Sequence, residues 1–421
     1  MRPDGSAPRG LSPRGDPNSL ASHPPVRRVL ELAADAPGAA ARLAAQGKRV
    51  IGLVCPNLPE ELPHALGLTP VRIVVRPEPV VRSPEVLQTF CCTWVQALLD
   101  QALRGQLAPL HGLTFPCNTC DSLQNLPDIW RHTVERPGPE ALFSLRLPVV
   151  NEGEAALGLL RAEIDGWTSW LEARAGAPLE PARLAASARL FNRVRSALRR
   201  LQQLAAQGQI GYSLVQAAAL ASQTHDRAEI ADLLDQITEI AAVAPRAGEA
   251  RARVVLAGGY LDDTRLLAWL EERDAAVVDD DSCAISRTFE PAVDLDPQEP
   301  LADLARRHLR RSRCPVQLGS GTARRDTLVQ KIRRAEAQGA ILLPYKGCEP
   351  HAFDNVILAE ELSRLGLPHI TLEIEPHLGS WGQLTTRLEA FLEMFSVVDD
   401  DLFDDSPPRP PHRPHSPSEV S

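Results

Sequence analysis

The sequence predicts an α/β protein: two Rossmann-like or flavodoxin-like parallel-sheet lobes, a helical segment between them, and tails without structure. Three observations carry this. Short β-branched runs alternate with helical stretches on both sides of the middle, the rhythm of βαβ units. The middle is rich in Ala, Leu, Arg and Glu at helical spacing and lacks strand-like runs. Both ends are Pro-rich with no apolar period. The boundaries follow as a tail over 1–27, a first lobe over 28–150, a helical segment over 151–250, a second lobe over 251–396 and an acidic, Pro-rich tail over 397–421.

In order along the chain, Val50-Ile51-Gly52-Leu53-Val54 reads as a buried strand and Val71-Arg72-Ile73-Val74-Val75 as a second. Pro84–Leu103 reads as a helix, and Leu113-Thr114-Phe115 as a short third strand. Long helices such as Ala182–Ala206 fill the middle, bridging the lobes or packing on one of them. The second lobe has strands at Arg253–Ala257, Ala276–Val278, Ala340–Leu343 and Ile370–Leu372. Its helices are expected at Asp263–Arg273, Asp326–Gln338, Asn355–Leu365 and Gln383–Phe395.

Composition bounds the function. At 421 residues, with 44% hydrophobic and 24% charged residues, the chain is an ordinary globular protein of two or three domains. Aromatics are only 4%, so aliphatic side chains must fill the core. A net charge of −9 with no basic stripe argues against a nucleic-acid partner. No apolar run approaches the ~20 residues that span a bilayer, and no secretory h-region opens the chain. A cytoplasmic location, where thiols stay reduced, is expected.

The eight cysteines stand out in this context. In open α/β sheets ligands gather beyond the carboxyl ends of the strands. Cys55, Cys117, Cys120, Cys283 and Cys348 all follow such ends, while Cys92 opens the helical stretch Thr93–Leu103, where the helix dipole favours a thiolate. Three dispersed thiols, Cys92, Cys120 and Cys348, can converge on an iron–sulfur cluster; three thiolates on a four-iron cubane leave one iron open for chemistry. Cys314, in an Arg-rich stretch, reads as an incidental thiol, and Cys55 and Cys283 stay open between packing and a site. Cys117-x-x-Cys120 has redox-pair spacing but not the setting of a small redox domain, and no second close pair completes a zinc site. Gly258-Gly259 does not make a dinucleotide fingerprint, and Gly319–Arg325 lacks the Lys-Ser/Thr of a P-loop, so any ATP-driven reduction must come from another protein.

Taken together, an ordered series of segments resembles the 2-hydroxyacyl-CoA dehydratase D-component family, which also contains the cluster-bearing subunits of benzoyl-CoA reductase. The series covers Arg49 to Phe395. It comprises Cys55-Pro56-Asn57-Leu58-Pro59-Glu60-Glu61-Leu62 with Pro70-Val71-Arg72; Cys92; Thr119-Cys120-Asp121-Ser122-Leu123-Gln124-Asn125; Asp279-Asp280-Asp281-Ser282-Cys283 with Arg287; Cys348-Glu349-Pro350-His351-Ala352-Phe353-Asp354; and Gly382–Phe391. The resemblance implies a 4Fe-4S cluster on Cys92, Cys120 and Cys348, with Cys91 an alternative to Cys92. It implies a paralogous cluster-bearing partner subunit and a separate ATP-hydrolysing iron–sulfur activator that injects one electron. It further implies an acyl-CoA thioester substrate, reduced to a ketyl radical that expels its 2-hydroxyl group, or an aromatic thioester whose ring is reduced. The stretch Thr119–Trp130 looks closer to the reductase-like subunits. His351, Glu60 and Asp121 are candidate proton-moving groups, and Arg287 and Arg387 candidates for a CoA phosphate; each also has a plain structural reading, as a packing histidine, a helix first-turn carboxylate or a salt-bridged arginine. The alternative function is a non-catalytic, cluster-bearing scaffold or electron-transfer partner.

Overall fold

The computed structural model describes residues 17–376, apart from Pro297, and residues 381–395. Helices α1 (Pro17–Ser22), α2 (Pro24–Ala34) and α3 (Ala36–Ala45) open the chain, so order begins inside the stretch expected to be a structureless tail. The rest of that tail and all of the expected tail 397–421 lie outside the described residues.

The first lobe contains β1 (Val50–Leu53), α4 (Glu61–Ala65), β2 (Thr69–Arg72), α5 (Thr93–Leu103), β3 (Gly112–Cys117), α6 (Asp121–Thr133) and β4 (Leu142–Arg146). Four long helices follow: α7 (Gly153–Ala175), α8 (Pro181–Ala206), α9 (Tyr212–Thr224) and α10 (Arg227–Ala242). The second lobe contains β5 (Ala252–Gly258), α11 (Arg265–Glu271), β6 (Ala275–Ser282), α12 (Ser286–Phe289), α13 (Pro300–Leu309), α14 (Ser320–Ala335), β7 (Gly339–Leu343), α15 (Glu349–Arg364), β8 (His369–Thr371) and α16 (Trp381–Glu393).

Each lobe is one four-stranded, all-parallel sheet. The orders are β2-β1-β3-β4 and β6-β5-β7-β8, the same winding in both halves. Central strands β1 and β7 are buried along their whole length, as parallel strands covered on both faces must be. Gly258 ends β5 where a Cβ would sit 2.4 Å from the Leu343 carbonyl oxygen, so only glycine lets β5 and β7 close here.

The middle helices join the lobes. Every residue of α9 is buried. Its Ala-rich sequence lets α2, α3, α8, α10 and α11 approach closely, and it packs against β2 of one lobe and β6 of the other. Helix α8 likewise reaches α4 and β6. The largest hydrophobic core therefore runs without a break from Val26 to Leu392.

Four elements differ from the sequence reading. The second strand is Thr69–Arg72; Ile73 gives a last N–H bond to the Leu53 carbonyl at 3.0 Å, and Val74-Val75 leave the ladder while staying buried. Helix α5 starts only at Thr93, because the Asp100 carboxylate holds the backbone N–H groups of Val81, Arg82 and Ser83 at 2.8, 2.5 and 3.2 Å and fixes the preceding residues as a loop. Strand β4 and helix α13 are additional to the elements read from the sequence.

Candidate functional site

Both sheets aim their carboxyl ends at one cavity between the lobes. Six cysteines line it: Cys55, Cys92, Cys120, Cys283, Cys314 and Cys348. The rest of its wall is largely apolar, including Val54, Trp94, Val95 and Leu123.

Cys92, Cys120 and Cys348 occupy equivalent local positions. Each is the N-cap residue of a helix: α5, α6 and α15 respectively. The unpaired N–H groups of a first helical turn, and the dipole behind them, stabilise negative charge on sulfur. The lobes are pinned together at this point. The Thr93 N–H donates to the Lys346 carbonyl at 3.1 Å. Gly347 adopts φ +74°, and a Cβ there would lie 3.1 Å from the carbonyl oxygens of Phe90 and Cys91. This tight turn brings Cys348 within hydrogen-bonding reach of Cys92.

The thiols are electrostatically coupled. A hydrogen bond from Cys348, together with the N–H groups of Trp94 and Val95, holds Cys92 below the ordinary thiol value against the effect of burial. The same bond and burial raise Cys348. Burial pushes Cys120 up to about 12. The doublet is resolved by orientation: Cys92 faces the cavity, whereas Cys91 is buried elsewhere with its Sγ toward Gln88 Oε1 at 3.8 Å. Cys117 also lies off the cavity, beside Ser144, so Cys117 and Cys120 do not share a site.

The other three cysteines form a second group. Burial raises Cys55 and Cys314, and each also feels the charge of Cys283. Arg287 donates to the Cys283 sulfur at 3.3 Å and pairs with Asp281 at 2.5 Å. Arg72 and Arg311 are buried nearby; Nε and Nη1 of Arg72 and Nε of Arg311 have no hydrogen-bond partner among the described residues. Cys314 is thus not incidental. Of the arginines around it, Arg307 and Arg311 turn inward to backbone carbonyls of Pro291, Pro56 and Arg287, pairings that no local pattern encodes.

The remaining candidates separate clearly. His351 is buried on the cavity wall, its Nδ1 without a partner among the described residues. Burial and the Arg324 and Arg287 charges keep its imidazole neutral. Arg287 reaches the site only through Cys283. Glu60 pairs with Arg227 at 2.8 Å and does not line the cavity. Asp121 is exposed in the first turn of α6, and Arg387 bonds the Thr371 carbonyl at 2.9 Å on an exposed face of α16; neither reaches the cavity. Two tyrosines absent from the sequence reading, Tyr260 and Tyr345, do line it.

Among the described residues, no group of three His, Cys, Asp or Glu side chains is arranged to hold a metal ion. A single ion draws its thiolates to about 2.3 Å from one centre. A four-iron cluster spreads three thiolates over separate irons. Thiols set around the wall of a mostly apolar cavity, on helix N-termini, are a donor set that fits the cluster.

The family model described as 2-hydroxyglutaryl-CoA dehydratase, D-component, matches residues 55–395. The chain is similar to the (R)-phenyllactyl-CoA dehydratase beta subunit of Clostridium sporogenes, at 25% identity over 354 residues, 82% of this chain and 92% of that one. It is similar to the beta subunit of (R)-2-hydroxyglutaryl-CoA dehydratase of Acidaminococcus fermentans, at 24% over 359 residues (84% and 94%). It is also similar to a benzoyl-CoA reductase subunit of Thauera aromatica, at 21% over 362 residues (83% and 92%). The family match spans most of the chain and both cysteine-bearing lobes: the protein belongs to the 2-hydroxyglutaryl-CoA dehydratase D-component family.

Proposed function

We propose that this chain is the iron–sulfur subunit of a 2-hydroxyacyl-CoA dehydratase or benzoyl-CoA reductase-type enzyme. In this reading a 4Fe-4S cluster sits on Cys92, Cys120 and Cys348. The observation that carries it is the meeting of these three thiols, from two lobes, on one cavity. The relatives are named for phenyllactyl-CoA, 2-hydroxyglutaryl-CoA and benzoyl-CoA, which supports an acyl-CoA thioester as substrate. All are named as subunits, which supports a paralogous partner. The absence of a P-loop motif from the sequence supports a separate ATP-hydrolysing activator as the source of the electron. When bound, the cluster supplies single electrons at low potential. The protein's own groups do the rest. The apolar wall keeps water from a radical intermediate, and His351, neutral and unpaired at Nδ1, offers a hydrogen bond to a thioester oxygen.

Anaerobically purified protein is expected to carry about four irons per chain for this cluster, lost on Cys92→Ser, Cys120→Ser or Cys348→Ser. Calorimetric titration with benzoyl-CoA and with lactoyl-CoA should show binding of one of them. Iron-free protein from strictly anaerobic cells would sink the proposal.

One observation favours a second reading. Cys55, Cys283 and Cys314 offer a further set of three thiolates, with buried arginines to offset their charge. A cavity filled by more than one cluster has less room for an acyl group and suits an electron-transfer partner. About eight irons per chain, halved by Cys283→Ser, with no acyl-CoA binding, would favour it.

A further inference from the structure

Tyr345 lines the cysteine cavity, and Asp262 does not. Asp262 lines a separate cleft with Val74, Pro77, Thr264 and Pro376, and Tyr345 does not. The Tyr345 hydroxyl donates to Asp262 Oδ1 at 3.2 Å, so one hydrogen bond joins the two spaces. Tyr345 is 5% exposed. Asp262 Oδ2 is buried and has no partner among the described residues. The loop carrying Asp262 is held from behind: Gln216 Nε2 donates to the Leu261 and Asp263 carbonyls at 3.0 and 3.2 Å. This is a costly arrangement to leave unused, because a buried carboxylate oxygen without a donor loses its hydration for nothing. The cost falls if the carboxyl carries a proton.

We propose that Asp262 and Tyr345 form a proton path from the outer cleft to the cysteine cavity. The inference rests on the acyl-CoA reading above. A mostly apolar wall offers few proton donors, yet a departing 2-hydroxyl group needs a proton. The bond between carbon 2 and oxygen breaks, and the leaving hydroxide takes the Tyr345 phenolic proton to give water. Asp262 returns a proton to Tyr345, and water in the cleft reprotonates Asp262. One proton crosses per water formed, and no electron moves in this transfer. The groups facing the carboxyl agree with this use. Burial and the neighbouring Asp263 raise Asp262 to about 7, against the opposing influence of the Tyr345 bond and of Arg72. Asp263 is itself paired with Arg265 at 2.5 Å.

The test has two readouts on the intact protein. Infrared difference spectra between pH 6 and 8 should show a protonated carboxyl C=O band that is lost as pH rises. It should be absent in Asp262→Asn and shifted to higher frequency in Tyr345→Phe. Turnover of the assembled enzyme should fall about tenfold to hundredfold in both variants, with iron content unchanged. Wild-type turnover should fall as pH rises through about 7, and Asp262→Asn should flatten that profile while Asp262→Glu restores part of it. Absence of the band, or variants with wild-type turnover and pH profile, overturns the path. A band with these variant responses in protein that turns over no acyl-CoA overturns the substrate reading and supports the path.

Discussion

Single residues set the site more than any motif does. Gly347 is the sharpest case: its positive φ and the carbonyls 3.1 Å from its missing Cβ leave no room for a side chain. Gly347→Ala should cost about 1–2 kcal/mol and move Cys348 away from Cys92. Iron retention after gel filtration should drop more than the melting temperature does. Farther from the cavity, Arg195 donates to Glu61 at 2.5 Å, with both side chains buried. Arg195→Met should destabilise by about 3–5 kcal/mol in urea unfolding, because it strands a buried carboxylate. Burial alone would raise Glu61, but Arg195 and Arg307 bring it from 4.5 down to about 2. Its contribution, about 3 kcal/mol, is therefore complete above pH 4.5 and is lost as pH falls from there towards 2. Glu61→Gln should remove that acid limb of the stability curve. At this scale the sequence was only partly legible. Cys92, Cys120 and Cys348 could be read because each follows a recognisable element boundary. The inward turn of Arg311 could not, since its partner, the Pro56 carbonyl, lies 255 residues away.

At the level of elements, helix ends carry much of the specificity. Asp226 caps α10, accepting from the Ala228 and Glu229 N–H groups at 2.9 and 3.1 Å. Asp226→Ala should cost about 1 kcal/mol, measurable as a lower urea midpoint at unchanged slope. Buried strands such as β1, β5 and β7 were legible because both faces are covered and the apolar run is continuous. Strand β4 was not: Ser144 and Arg146 interrupt its apolar residues at a sheet edge, where one side is unpaired. The apolar pair Val74-Val75 misled in the opposite sense, since it is buried as a connection and not as a ladder. Hydrophobicity reports burial; only backbone partners make a strand.

For the molecule as a whole, the repeated winding of the two sheets was not visible as a sequence repeat, because the topology is set by crossover geometry and not by particular side chains. Whether the middle helices bridge or attach was likewise open in the sequence; α9 settles it by touching both sheets. With the largest core drawing residues from Val26 to Leu392 and so from both lobes, thermal unfolding should be a single transition whether followed by circular dichroism or by tryptophan fluorescence. A bound cluster stabilises the folded state alone, so chelator-stripped protein should melt at a lower temperature.

The turn that joins Lys346 to Thr93 has one more effect, on the order in which the molecule is made. A ribosome that has finished the first lobe and all four long helices has released Cys92 and Cys120, but not Cys348. Every nascent chain shorter than 348 residues lacks a wall of the cavity. In the proposed reading, a cluster on all three sulfurs is therefore completed only at the end of synthesis or after release, once Cys348 has been made.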